Sequence, residues 1–186
     1  SASTFMCYKE YPMKQKIVIV SHCFLNDAAK LRNQDAADME QERTKKRSFL
    51  KELLEQGIEV LQLPCPEFIL YGCNRWGHAA SQFDTPHFRQ EARNMLLPIV
   101  MQLEEYAAYP DRYDILGVYG INGSPSCGVD YTYDGDWGGE LGGKDAPCQL
   151  DKAYRPGIFM DVFAKLLEER HLSIKFYTLD AENRPI

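Results

Sequence analysis

Three short, β-branched apolar runs, spaced by amphipathic stretches, constrain this chain more than any other feature. "KIVIVSHC" (16–23), "IEVLQLPCPE" (58–67) and "YDILGVYGI" (113–121) read as buried strands by residue type and length. "SIKFYTL" (173–179) reads as a fourth. Between the first two, residues 39–56 carry a helical pattern, with Phe49, Leu50, Leu53 and Leu54 on a common face and Gly57 as a stop. A further helix opens at Thr85 as N-cap with Pro86 in its first turn, and Pro98 is expected to kink or split it. "GIFMDVFAKLLEERH" (157–171) is amphipathic throughout. Strands alternating with helices predict an α/β fold: one domain over 1–186, with a mostly parallel, Rossmann-like sheet flanked by helices. Residues 1–15 are expected to form a flexible N-terminal segment, and the glycine- and aspartate-rich stretch 131–148 a mobile loop that could close as a lid.

In such sheets ligands bind outside the carboxyl ends of the strands. Cys23, Cys65 and Cys127 each fall where a predicted strand ends, the last within "NGSPSCG" (122–128). A cysteine kept for packing belongs inside an apolar run, and free cysteines are commonly buried there. Three that recur at strand exits project onto one edge of the sheet. The chain holds six cysteines, with no C-x-x-C pair among them, so zinc-ribbon and thioredoxin readings lack their spacing. A chain of 186 residues has enough core to do without a disulfide framework.

Three converging thiolates suit a metal centre. Zinc would need a fourth ligand, for which His22 is a nominal candidate, or an open position holding water. A cubane iron–sulfur cluster usually takes four thiolates, so three leave one iron without a protein ligand. That iron is a Lewis acid able to bind a substrate atom, and soft sulfur suits it.

"SHCFLN", "CPE" and "GSPSCG", in this order, resemble the three cysteine motifs of the thiouracil desulfidase family. Asn26 stands where the family's first motif commonly has glycine, which marks a divergent branch. The resemblance implies a 4Fe–4S cluster held by Cys23, Cys65 and Cys127. It implies a desulfidase acting on a small thiolated compound, such as a pyrimidine, in which C–S is replaced by C–O without net redox change. It further assigns Glu67 as the acid/base carboxylate and Ser124 as a serine near the substrate. The chemistry accords with both roles, since water attacking carbon needs a base and a hydroxyl can orient water or the heterocycle. Read from the residues alone, Glu67 is equally a solvated loop residue and Ser124 a turn former. Two other readings stand beside this one: a cluster-free hydrolase or transferase with Cys127 as nucleophile, and a metal- or cluster-containing binding or sensor module.

The formal charge of −6 argues against nonspecific nucleic-acid binding, which needs a basic face. No apolar run reaches membrane-spanning length and no secretory signal opens the chain, so a cytoplasmic location is expected. Cys7, Cys73 and Cys148 read as bystanders, with Cys73 a conceivable spare ligand. Trp76, Tyr131, Tyr133 and Trp137 could stack on a planar ligand or simply anchor loops.

Overall fold

The computed structural model describes residues 13–32, 36–136, 138–139 and 149–186. Cys7, Trp137 and Cys148 lie outside the described residues, as do most of the N-terminal segment and of the 131–148 loop. Strand β1 (Gln15–Val20) leads through a short 3-10 turn (His22–Phe24) and a second (Asp27–Ala29) towards helix α1 (Ala36–Glu55). Strand β2 (Glu59–Gln62), helices α2 (Pro66–Tyr71), α3 (Ala80–Phe83) and α4 (Pro86–Ala107), and strand β3 (Tyr113–Tyr119) follow. A ribbon of β4 (Thr132–Asp134) and β5 (Asp151–Ala153), helix α5 (Ile158–Glu169) and strand β6 (Phe176–Tyr177) complete the order.

The main sheet runs β2-β1-β3-β6, and every pairing in it is parallel. The predicted α/β class with a parallel sheet is therefore the fold observed. Val18 and Val20 of β1 point to one face, where Phe49 and Leu53 of α1 pack with Tyr119. Ile19 points to the other, where Leu96 and Val100 of α4 meet Phe159 and Phe163 of α5. This split follows from strand alternation and right-handed crossovers: the chain leaves β1 towards β2 on one side and returns past it to β3 on the other. The strand order thus reverses between β1 and β3, the switch point where sheets of this kind open a crevice.

Three local expectations change. Helix α4 runs unbroken through Pro98. Pro98 and Asn94, whose carbonyl the missing N–H leaves without its helical partner, are both on the exposed side, where that carbonyl is open to solvent. In α1, Leu54 is 71% exposed while Lys46 is 1% exposed. At 3.6 residues per turn Lys46 lies in the middle of the arc set by Phe49, Leu50 and Leu53, and Leu54 falls beyond its edge. In the 131–148 stretch, Thr132–Asp134 pair antiparallel with Asp151–Ala153 instead of remaining loop. Asp134 fastens that ribbon to α3 by accepting from the Ser81 amide at 3.1 Å, and it pairs with Arg155 just past β5.

No helix among the described residues is long and apolar enough to cross a membrane.

Candidate functional site

A cleft of about 430 Å³ opens at the carboxyl edge of the sheet, and Cys23, Cys65 and Cys127 all line it with Glu67, Ser124 and Ser126. Each cysteine arrives on a different connection. Cys23 sits in the 3-10 turn directly after β1, and the Gln62 side chain braces that turn by donating to the His22 carbonyl at 2.7 Å. Cys65 is the N-cap of α2, where Pro64 and Pro66 fix the backbone on either side and Pro66 opens the helix. Cys127 ends the turn after β3. That turn is held from below by α5: the amides of Ile158, Phe159 and Met160 donate to the Pro125 and Ser126 carbonyls at 3.0–3.1 Å. Glycine is required at its seam, because a Cβ on Gly157 would lie 2.4 Å from the Ser126 carbonyl.

The three thiols feel one another. Burial pushes the Cys23 thiol up to about 12, against the pull of Lys46 and Lys30. Burial also raises Cys65, partly offset by the Phe68 amide facing its sulfur. Cys127 is raised by burial most of all, with the neighbouring Cys23 adding to it and the Ser126 hydroxyl opposing. Without a cation these sulfurs stay protonated and are weak nucleophiles. Among the described residues, no three His, Cys, Asp or Glu side chains close around one point as a single metal ion requires.

Glu67 lies in the first turn of α2 with its carboxyl held on both sides. The Ser126 hydroxyl donates to Oε1 at 2.5 Å, and Arg75 Nε donates to Oε2 at 3.3 Å. Arg75 is 3% exposed and also donates to the Gly72 carbonyl at 3.0 Å and the Ala29 carbonyl at 2.7 Å. It therefore ties the Cys65 segment to the loop that carries Cys23. Ser124 lines the cleft, and its Oγ accepts from the Cys127 amide at 3.0 Å while lying 3.3 Å from Ser126 Oγ. It is a turn former as well as a cleft residue.

The arrangement brings together all five residues singled out in the sequence. His22 lines the cleft too, whereas Cys73 is exposed and does not. Trp76 is 72% exposed; Tyr133 lines the cleft, and Tyr131 the adjoining one. Sequence reasoning passed over Ser126, Arg75 and His78. The His78 ring packs between Tyr71 and Phe83, with centroids 5.1 and 4.8 Å away, and faces the cleft; burial lowers its basicity, which Glu67 partly restores. The "SPSCG" string offered two serines, and only the fold shows that the second meets Glu67. Nothing local in "NRWGH" marks Arg75 as a bridge.

A parallel sheet with a thiol-lined cleft at its switch point defines an α/β protein with a candidate cofactor site at the carboxyl edge. The chain belongs to the family of Uncharacterized protein MJ0003 of Methanocaldococcus jannaschii, to which it is 31% identical over 115 residues, 62% of this chain and 69% of the relative. A scan against models of known protein families finds no match. Among solved structures, the 4Fe–4S-dependent thiouracil desulfidase TudS matches over 89% of this chain and 91% of its own, at 20% identity and a TM-score of 0.41.

Proposed function

We propose that this protein holds a 4Fe–4S cluster on Cys23, Cys65 and Cys127 and removes sulfur from a small thiocarbonyl compound, such as a thiolated pyrimidine. The observation that carries the reading is the convergence of three thiols, from three separate strand exits, on one cleft that also holds a doubly bonded carboxyl. The donor set suits a cluster: thiolates are the usual protein ligands of iron–sulfur centres, and a cubane takes each on a different iron. The burial of Cys127 speaks against the alternative in which it acts as a free nucleophile.

When bound by three protein thiolates, such a cluster supplies one iron free of protein ligands, a Lewis acid suited to a thiocarbonyl sulfur. The remaining roles fall to the chain. The reaction balances as thiocarbonyl plus water giving carbonyl plus hydrogen sulfide, with no electron acceptor or donor. Glu67 takes the proton of the attacking water and returns it to the leaving sulfur or a ring nitrogen. Arg75 and Ser126 hold its two oxygens in one orientation, so the proton moves without side-chain reorganisation. Ser124 accepts from the Cys127 amide and, with the Ser126 proton committed to Glu67, points its own at Ser126 Oγ across 3.3 Å, a long contact it exchanges for the heterocycle.

The test is anaerobic reconstitution followed by iron and acid-labile sulfide assay, then sulfide release from 2- and 4-thiouracil and related thiolated heterocycles. About four irons and four sulfides per chain are expected, with each of Cys23→Ser, Cys65→Ser and Cys127→Ser losing them. A folded wild-type protein that takes up no iron removes the proposal. A cluster with no turnover of any thiolated compound leaves a binding or sensor module in its place.

A further inference from the structure

Lys46 is 1% exposed on the sheet-facing side of α1, an expensive position for an ammonium unless it is paired. Its partners are Asp27, by a hydrogen bond, and Glu42 at 3.0 Å. Asp27 also takes Arg43 Nε at 3.3 Å, and Glu42 also takes Lys30. Asp27 and Lys30 belong to the loop that begins at Cys23, whereas Glu42, Arg43 and Lys46 belong to α1. The network therefore staples the Cys23 loop to the helix. Arg43 also pairs with Glu40 at 2.9 Å, so three cations and three carboxylates balance in the network, and Lys30 and Glu42 of it line the cleft beside Cys23.

We infer that Lys46 is a positioning residue for the cluster: its buried ammonium, paired with Asp27 and Glu42, fixes the Cys23 loop against α1 and so holds Cys23 in place as a ligand. The inference rests on the cluster reading above. Groups that orient and polarise metal ligands from behind typically change metal affinity by 10–100-fold when lost. Positive charge near a cluster also favours its reduced form.

The experiment compares anaerobically reconstituted wild type, Lys46→Met, Lys46→Arg and Glu42→Gln. Far-ultraviolet circular dichroism reports the fold, iron and sulfide assays report loading, bleaching under excess chelator gives the rate of cluster loss, and a redox titration gives the midpoint potential. Lys46→Met is expected to fold and to lose its cluster roughly ten-fold faster or more, at a lower potential, with Lys46→Arg restoring most of the lifetime. Glu42→Gln separates charge from scaffolding and serves if Lys46→Met does not fold. It weakens the staple but raises the net charge, so the cluster should again be lost faster while the potential rises. Wild-type lifetime and potential in Lys46→Met, or wild-type lifetime in Glu42→Gln, would overturn the role given to Lys46 while leaving the cluster in place. Failure of wild type itself to bind iron would instead remove the cluster reading.

Discussion

Gly157→Ala isolates the contact on which the Cys127 turn rests. Gly157 has φ −63° and ψ 154°, a conformation open to any residue, so the substitution introduces no backbone strain of its own. What it introduces is a methyl group 2.4 Å from the carbonyl carbon and oxygen of Ser126 and 2.8 Å from the Cys127 nitrogen. Ordinary carbon contacts begin near 3.4 Å, so the two backbones must part by about 1 Å. Overpacking typically costs ~1–3 kcal/mol, and the upper half of that range applies because neither side is a flexible side chain. For a chain of this length each kcal/mol is worth about 2–4 °C, which places the fall in Tm at roughly 4–12 °C. The separation also stretches the bonds from the Ile158, Phe159 and Met160 amides to the turn, displacing Ser126 and Cys127 together.

The assay is thermal unfolding of the iron-free protein followed by circular dichroism, paired with iron content after reconstitution. Gly57→Ala is the control. Gly57 has φ +67° and open space around it, so its substitution costs about 1–2 kcal/mol through backbone conformation alone, far from the cleft. Both variants should be destabilised, but only Gly157→Ala should load iron poorly. If Gly157→Ala melts with wild type and loads fully, the close packing of α5 against the turn is refuted.

Three further outcomes follow from the same geometry. Glu67→Gln should retain iron and sulfide while desulfuration falls roughly 10²–10⁴-fold, the range for a lost acid/base group; undiminished turnover would remove the role. Phe83 is fully buried and stacks on Phe88 at a centroid distance of 4.6 Å, so Phe83→Ala should cost about 3–5 kcal/mol in urea unfolding. A loss below about 1 kcal/mol would contradict its place in the core. For Asp134, burial pushes the carboxyl up, but the Ser81 and Arg155 contacts outweigh it and hold the group at about 2, below the usual 3.8. A depressed carboxyl contributes its stability above its unfolded value and loses it as pH falls through the folded one. The stability difference between wild type and Asp134→Asn should therefore shrink between about pH 4 and pH 2, as followed by tryptophan fluorescence, and a constant difference would refute the ribbon's fastening.

The parallel sheet and the strand exits were legible because both depend on local signals. "KIVIV", "EVLQ" and "YDILGVY" are β-branched or apolar runs at strand length, and the cysteines mark where they end. Lys46 was not legible, since a charged residue inside an apolar arc reads as an error in the pattern until its partners, Asp27 and Glu42, are placed in space. Ser126 and Arg75 were missed for a related reason. Ser126 meets Glu67 across 59 positions and Arg75 reaches the Ala29 carbonyl across 46, and no periodicity encodes a partner in another connection. Pro98 does not split α4, because the apolar face at Ala92, Leu96, Val100 and Leu103 is buried on both sides of it and holds the two halves to one core.

The three thiols ride on separate crossover connections of a parallel sheet, so no single connection holds more than one of them. The cleft is complete only when β1 has both neighbours and α5 has closed beneath the last turn. Parallel pairing through long crossovers is slow, since each closure spends chain entropy before contacts repay it. Iron taken up before that point would meet scattered thiols, and iron taken up after it would meet a prepared site and bind the folded state alone, deepening its stability by mass action. Cofactor occupancy in this protein would thus act as a count of finished molecules.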